Sequence, residues 1–272
     1  MTSGEWSFED DLGQRVELAA VPRRVLAYGQ AAETLVALGA PVVGFFGSQH
    51  QADSGAAGAV GGLPLVGAGD AVDLEQVKAL EPDLVVSVSY AGEVYGVSEA
   101  VAAQLREVAP VVLIRIAGDV SLAGVIGRFH ALAGALGGSV DDDEAALTAA
   151  LEKLQGAPQL LALSGGTPTD AYVANPAYWP SLRLLADAGV PFAPTSAKGG
   201  WEVVQWTDLG ATHPADVLLY DQRGNSLGAE QLAGIPSWGE LPAVQGDRVQ
   251  PWNPEPAFTF AAAAAFVDGI PR

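Results

Sequence analysis

Residues 74–90 read LEQVKALEPDLVVSVSY, and residues 206–220 read WTDLGATHPADVLLY. Each runs from a short helical stripe through Pro and Asp into an apolar run of strand character. In the first, Leu74, Val77 and Leu80 mark one helix face, with Asp73 and Gln76 spaced like a capping box. The runs Asp83–Ser89 and Asp216–Tyr220 are apolar throughout rather than alternating. That pattern suits parallel strands covered on both faces. A second pair of segments repeats the theme. Residues 32–44 read AETLVALGAPVVG and residues 182–194 read LRLLADAGVPFAP: helix, Gly, then a strand containing Pro. The same order of elements thus occurs once in each half of the chain.

Working outward, further strands are expected at Arg24–Tyr28, Val42–Phe46, Val111–Ile116 and Gln159–Ser164, with weaker signals at Tyr172–Ala174 and Arg248–Trp252. Helices are expected at Ala31–Leu38, ending on Gly39, and at Pro180–Ala188, ending on Gly189. The alternation predicts an α/β fold: two Rossmann-like lobes with mostly parallel sheets. Between the halves, residues 119–155 carry no strand signal. Leu122, Val125, Ile126, Phe129, Ala133 and Leu136 form one helical stripe, Gly137 and Gly138 break it, and Leu147, Leu151 and Leu154 form another after the acidic start Asp141–Glu144. The expected organisation is an N-terminal lobe at 1–118, a bridging helical segment at 119–155 and a C-terminal lobe at 156–272. A helical link is stiff, so small rocking is expected rather than wide closure. Parallel sheets receive ligands at the carboxyl ends of their strands, and two facing lobes would line one cleft.

Composition narrows the function. The chain has 272 residues, 49% apolar and 17% charged, with 13 basic and 32 acidic residues and a net charge of −19. Nucleic acid and anionic lipid both call for a positive face, so both are disfavoured. With no cysteine, disulfides, thiolate metal sites and a Cys nucleophile are excluded. No window approaches the roughly 20 apolar residues of a membrane span. Met1–Asp10 is polar and acidic and reads as no signal peptide. That leaves a cytosolic protein, or a mature one whose export segment is missing from this chain.

The stretch FEDDLGQRVELAAVPRRVLAYGQAAETLVALGAPVVG at 8–44, the block VDLEQVKALEPDLVVS at 72–87 and the ending WGELPAVQGDRVQPWN at 238–253 resemble, in that order, substrate-binding proteins of iron–siderophore, haem and cobalamin ABC importers. The resemblance covers almost the whole chain. It implies two α/β lobes bridged by one long helix, a ligand held between them, no catalysis and no resident cofactor. It further implies docking onto an ABC permease dimer through an acid on each lobe, paired with permease arginines. Glu75 matches the first acid. The second register falls on Thr207, with Asp208 or Glu202 as substitutes. Family precedent places such a protein outside the cytoplasmic membrane as a monomer, anchored as a lipoprotein; a cytoplasmic location is the alternative.

Within that frame the residues point to a siderophore. Loops after the expected strands are rich in aromatics, and aromatic walls give a bulky, partly apolar chelate large contact area. Tyr28, Phe46, Tyr90, Trp179, Trp201, Tyr220 and Trp252 are the candidate wall, with core packing as the competing role for each. Arg115, Lys198 and Arg223 are the candidate cations on the same side, and a guanidinium there could donate to oxygens around ferric ion. So few cations in a chain of −19 suit a neutral or cationic hydroxamate better than an anionic catecholate. The three histidines, His50, His130 and His213, do not converge in sequence as a metal site would require. Ser164, in LALSGG, lacks the G-x-S-x-G elbow of an esterase nucleophile. The expectation is a carrier of a ferric siderophore. The alternatives are a cobalamin or haem carrier of the same family, or a cytosolic siderophore-handling protein or enzyme reusing the fold.

Overall fold

The computed structural model describes residues 5–48, 60–118, 120–139 and 144–271. The chain divides into two compact units. Unit 1 takes residues 1–142 and 257–259, and unit 2 takes 143–256 and 260–272.

Unit 1 begins with a hairpin of β1 (Trp6–Glu9) and β2 (Arg15–Leu18), whose residues alternate between buried and exposed. Next come β3 (Val25–Tyr28), α1 (Gly29–Ala37), β4 (Val42–Gly47), β5 (Leu65–Ala68), α2 (Leu74–Ala79), β6 (Leu84–Ser89), α3 (Glu99–Val108), β7 (Val111–Arg115) and α4 (Leu122–Ala135). Five strands form a sheet in the order β5-β4-β3-β6-β7, with every pairing parallel. Each residue of β3 and β6 is buried, which is why both read as unbroken apolar runs. The strand order reverses between β3 and β6. A crevice opens at such a point, at the carboxyl ends of the strands. Those ends carry Tyr28 and, just beyond Ser89, Tyr90. Gly39 after α1 has φ +70°, a left-handed cap that a Cβ would strain.

Unit 2 contains α5 (Glu144–Glu152), β8 (Leu160–Gly165), β9 (Asp170–Ala174), α6 (Pro180–Asp187), β10 (Trp201–Gln205), α7 (Trp206–Thr212), β11 (Val217–Asp221), three short helices α8 (Ala229–Ala233), α9 (Pro236–Gly239) and α10 (Pro242–Gln245), β12 (Val249–Trp252) and α11 (Phe260–Asp268). Its sheet has the order β10-β9-β8-β11-β12. β8, β11 and β12 run parallel, while β9 is antiparallel to both neighbours. β10 therefore points the same way as β8. The core behind the sheet gathers Leu161, Leu163, Val173, Val204, Trp206, Leu218, Tyr220 and Trp238. The first helical residue of α6 is Pro180, a position where the missing N–H costs nothing.

Two parallel-rich α/β units agree with the sequence reading. The stretch 119–155 contains two helices: α4 belongs to unit 1 and α5 to unit 2. α5 packs along α11, with Lys153 paired to Asp268 at 3.0 Å. The division falls inside that stretch, between Asp142 and Asp143, in a segment (Asp141–Asp143) outside the described residues.

Candidate functional site

Unit 2 builds an indole cluster from three different elements. Trp179 caps α6, Trp201 opens β10 and Trp252 closes β12. Their ring centroids lie 5.0 Å (Trp179–Trp201), 5.9 Å (Trp179–Trp252) and 6.0 Å (Trp201–Trp252) apart. Two of the rings are fixed by hydrogen bonds. Trp179 Nε1 donates to the Gly200 carbonyl at 2.9 Å. Trp252 Nε1 donates to the Ser181 hydroxyl at 3.3 Å. Trp6, Trp179, Trp206, Trp238 and Trp252 are all buried, whereas Trp201 is only half-buried. Trp201 is thus the tryptophan whose face a ligand can reach, propped from behind by two others.

Arg223 lies against this cluster, 5.7 Å from the centroids of both Trp179 and Trp201. Its guanidinium is held by carboxylates. Nε donates to both Asp221 oxygens at 3.1 Å, Nη2 to Asp221 Oδ2 at 2.7 Å, and Nη1 to Glu255 Oε1 at 3.2 Å. The side chains of Arg223, Asp221 and Glu255 are 10%, 0% and 2% exposed. The role expected of Arg223, donation to chelate oxygens, has to compete with these partners, and neither carboxylate was anticipated.

The other candidates of unit 2 separate. Tyr220 is a core residue; its hydroxyl donates to the Leu227 carbonyl at 2.7 Å, its ring packs on Trp238, and burial pushes its phenol pKa up. Beside it opens a hollow of about 840 Å³, walled by Leu227, Leu232, Trp238 and Pro251 with Gln222 and Gln231. Lys198 is exposed on the 195–200 loop. That loop is tied down by Asn175, whose Nδ2 donates to the carbonyls of Ala197 and Gly199 at 3.0 and 3.1 Å, and by Glu202. The Glu202 carboxylate accepts from the Thr195 hydroxyl at 2.8 Å and the Ser196 N–H at 2.6 Å, with His213 Nε2 at 3.6 Å. Burial alone would raise the Glu202 pKa, but the Ser196 and Thr195 donors and the attraction of His213 outweigh it and bring it down to about 2. Glu202 is therefore an internal anchor. Asp208, in the first turn of α7, and Thr207 beside it are exposed.

Unit 1 gathers aromatics at its strand ends. Tyr28 and Phe46 are fully buried, with centroids 5.9 Å apart; as they stand they form a floor and offer no surface. Tyr95 stands edge-on to Tyr28 at 5.3 Å and meets Tyr90 at 4.8 Å. Tyr90 and Tyr95 are half-buried, so the reachable rings here are these two. Tyr95 was legible only as one more loop aromatic. Gly96, with φ +89°, lets its loop lie on Tyr28: a Cβ would stand 2.9 Å from that ring. Tyr95 also walls a hollow of about 290 Å³ with Ser48, Asp70 and Ser98. Arg115 is exposed at the end of β7, where its backbone N–H donates to Asp11 at 2.9 Å. Glu75 is exposed in the first turn of α2 and pairs with Lys78 at 2.8 Å.

His130 is half-buried on α4 and His213 is buried on unit 2, while His50 lies outside the described residues. Among the described residues no group of three or more His, Asp or Glu side chains is placed to hold a metal ion, and no helix is long and apolar enough to cross a membrane. Ser164 is a buried residue of β8.

Residues 25–256 match the periplasmic binding protein family model, and the chain belongs to that family. No curated relative matches by sequence. Among solved structures the chain is similar to DesE, a ferric-siderophore receptor protein from Streptomyces coelicolor, at 26% identity and a TM-score of 0.87, covering 97% of this chain and 96% of that one. It shares its fold with the iron uptake ABC transporter substrate-binding protein PiuA from Streptococcus pneumoniae (17% identity, TM-score 0.70, 99% of each chain). It does so also with FhuD2 from Staphylococcus aureus, solved with bound ferrioxamine B (17% identity, TM-score 0.63, 92% of this chain and 96% of that one).

Proposed function

We propose that the protein captures a ferric siderophore of hydroxamate type and delivers it to an ABC importer. The observation that carries this is the half-buried Trp201, backed by the buried rings of Trp179 and Trp252. A half-buried indole on a rigid backing is a surface for a partly apolar chelate, because its contact area carries little entropic cost. The likeness to a ferric-siderophore receptor over 97% of the chain supports the same reading. Lys198 is the exposed candidate cation of unit 2, and unit 1 presents half-buried rings of its own, Tyr90 and Tyr95. Charge favours hydroxamates. The chain carries −19 and Arg223 is occupied by two carboxylates, which suits a neutral or cationic complex rather than a highly anionic tris-catecholate.

In this reading binding occurs without catalysis and the iron complex is cargo. The carrier is a monomer outside the cytoplasmic membrane, lipid-anchored, and Glu75 with Asp208 presents the acids that meet the permease dimer. Tryptophan fluorescence titration with ferrioxamine, ferrichrome, a ferric catecholate, haem and cobalamin tests the ligand. Ferric hydroxamates are expected to quench at submicromolar concentration. Silence towards every ferric chelate, with a response to haem or cobalamin, overturns the proposal.

A further inference from the structure

We infer that the buried triad Asp221–Arg223–Glu255 sets the charge class of the ligand, making this a site that prefers a chelate bearing a positive group over one bearing a negative group. The inference rests on the siderophore reading above and specifies which member of that class is taken.

Two carboxylates and one guanidinium leave the triad at −1. Its side chains are 0–10% exposed, so its charge acts through a medium of low dielectric, where a field reaches further than through water. The triad also adjoins the candidate platform, since its guanidinium carbon lies over the Trp201 ring, 5.7 Å from the centroid. Lys198, three positions before Trp201, sits on an exposed loop where water and salt screen it.

The arrangement is costly in a way that argues for a purpose. Burying three ionised groups is often no better for stability than an apolar filling of the same volume. Holding Arg223 in place needs only one bidentate partner, and Asp221 already provides it. Glu255 adds a second carboxylate, accepting from Nη1 at 3.2 Å, and its turn is separately fixed by the Asn253 side chain, which accepts from the Glu255 N–H at 2.9 Å. Glu255 is therefore the residue that converts a neutral pair into a net-negative cluster whose guanidinium adjoins the indoles.

The test uses one chelate core with three tails. Ferrioxamine B carries a free ammonium, its N-acetyl derivative is neutral and its N-succinyl derivative is anionic. Each is titrated into the intact protein by tryptophan quenching, against wild type and Glu255→Gln. Wild type is expected to bind in the order cationic, neutral, anionic, with each step roughly tenfold, as for a unit charge across about 10 Å of partly shielded protein. Glu255→Gln is expected to compress that range while still binding the neutral form. Equal affinity for all three tails in wild type overturns the inference and leaves the siderophore reading intact. An undiminished range in a folded Glu255→Gln protein overturns it as well. Failure of every tail to bind removes the siderophore reading itself, and this inference with it. The wild-type series needs no variant, so misfolding of Glu255→Gln would not shield the inference.

Discussion

The indole of Trp179 hydrogen-bonds the carbonyl of Gly200 at 2.9 Å, so a residue buried at the start of α6 fixes the backbone immediately ahead of the half-buried Trp201. The division of labour between the two rings is the basis of a paired prediction. Trp201→Ala removes the reachable face: chelate affinity should fall roughly ten- to a hundredfold, as for a central aromatic hot spot, with a smaller loss of stability than at the buried Trp179, because the side chain is only half-buried. Trp179→Ala opens a cavity and should cost about 3–5 kcal/mol of stability. Fluorescence titration and thermal melts on the two variants separate these effects. A Trp201→Ala protein that keeps full affinity would remove the platform from the account.

Docking separates from binding in the same manner. Glu75 and Asp208 are exposed near helix N-termini, where Glu75 pairs with Lys78 and Asp208 accepts from the Thr207 hydroxyl at 3.5 Å. Glu75→Ala with Asp208→Ala should leave chelate affinity at its wild-type value. Uptake through a reconstituted permease should fall by roughly tenfold or more, because charged rim contacts govern encounter and register. Full uptake by the double variant would assign docking to other residues. Glu202→Gln, whose carboxylate is spent on Thr195, Ser196 and His213, should leave docking itself untouched.

What could be read from the sequence follows from how each element is buried. β3, β6, β8 and β11 are buried at every position, so composition alone marked them. β10 escaped because it lies at the sheet edge and carries Glu202, Gln205 and the 65%-exposed Val203. The hairpin β1–β2 escaped because four-residue strands show too little alternation to stand out. The helix Glu99–Val108 had a Ser98 cap and a Val101–Leu105 stripe that went unread. In the site, residue type was legible and burial was not. Tyr28, Phe46 and Tyr220 are drawn into cores by contacts distant in sequence, while Trp201 stays at the surface. Asp221, two positions before Arg223, left a local trace of their pairing. Glu255, 32 positions away, left none.

A buried hydrogen bond in unit 1 gives a stability test. The Phe258 N–H donates to the Thr34 hydroxyl at 2.9 Å, and that hydroxyl donates to the Gln30 carbonyl at 2.7 Å. Both Thr34 and Phe258 are fully buried, and Phe258 stacks on Phe129. Thr34→Val keeps the shape but leaves the Phe258 donor without its acceptor, a loss of about 1–3 kcal/mol. Thr34→Ser keeps the hydroxyl and should lose only the packing of one methyl, about 1 kcal/mol. Denaturant melts of the two variants should rank them in that order. Equal losses would show that packing alone, not the hydrogen bond, holds residues 257–259 to unit 1.

The anchor at Glu202 makes stability depend on acid in a defined window. Its carboxyl titrates at about 2 in the folded protein against an ordinary value of 4.5. A carboxyl with a depressed folded pKa contributes stability that is complete above the unfolded value and disappears as pH falls through the folded one. The contribution is therefore present above pH 4.5, shrinks below it and is gone near pH 2. Because the side chain is still 21% exposed, water screens part of the effect, and the contribution is on the order of 1–2 kcal/mol. Glu202→Gln cannot ionise. The gap between its unfolding midpoint and that of wild type should be constant from neutral pH down to about 5, then close progressively towards pH 2. The Trp201 loop, which Glu202 ties through Thr195 and Ser196, should loosen over the same range, visible as a red shift of the indole emission. A gap that stays constant across the whole range would mean that the carboxylate charge holds nothing and that shape alone keeps the loop in place.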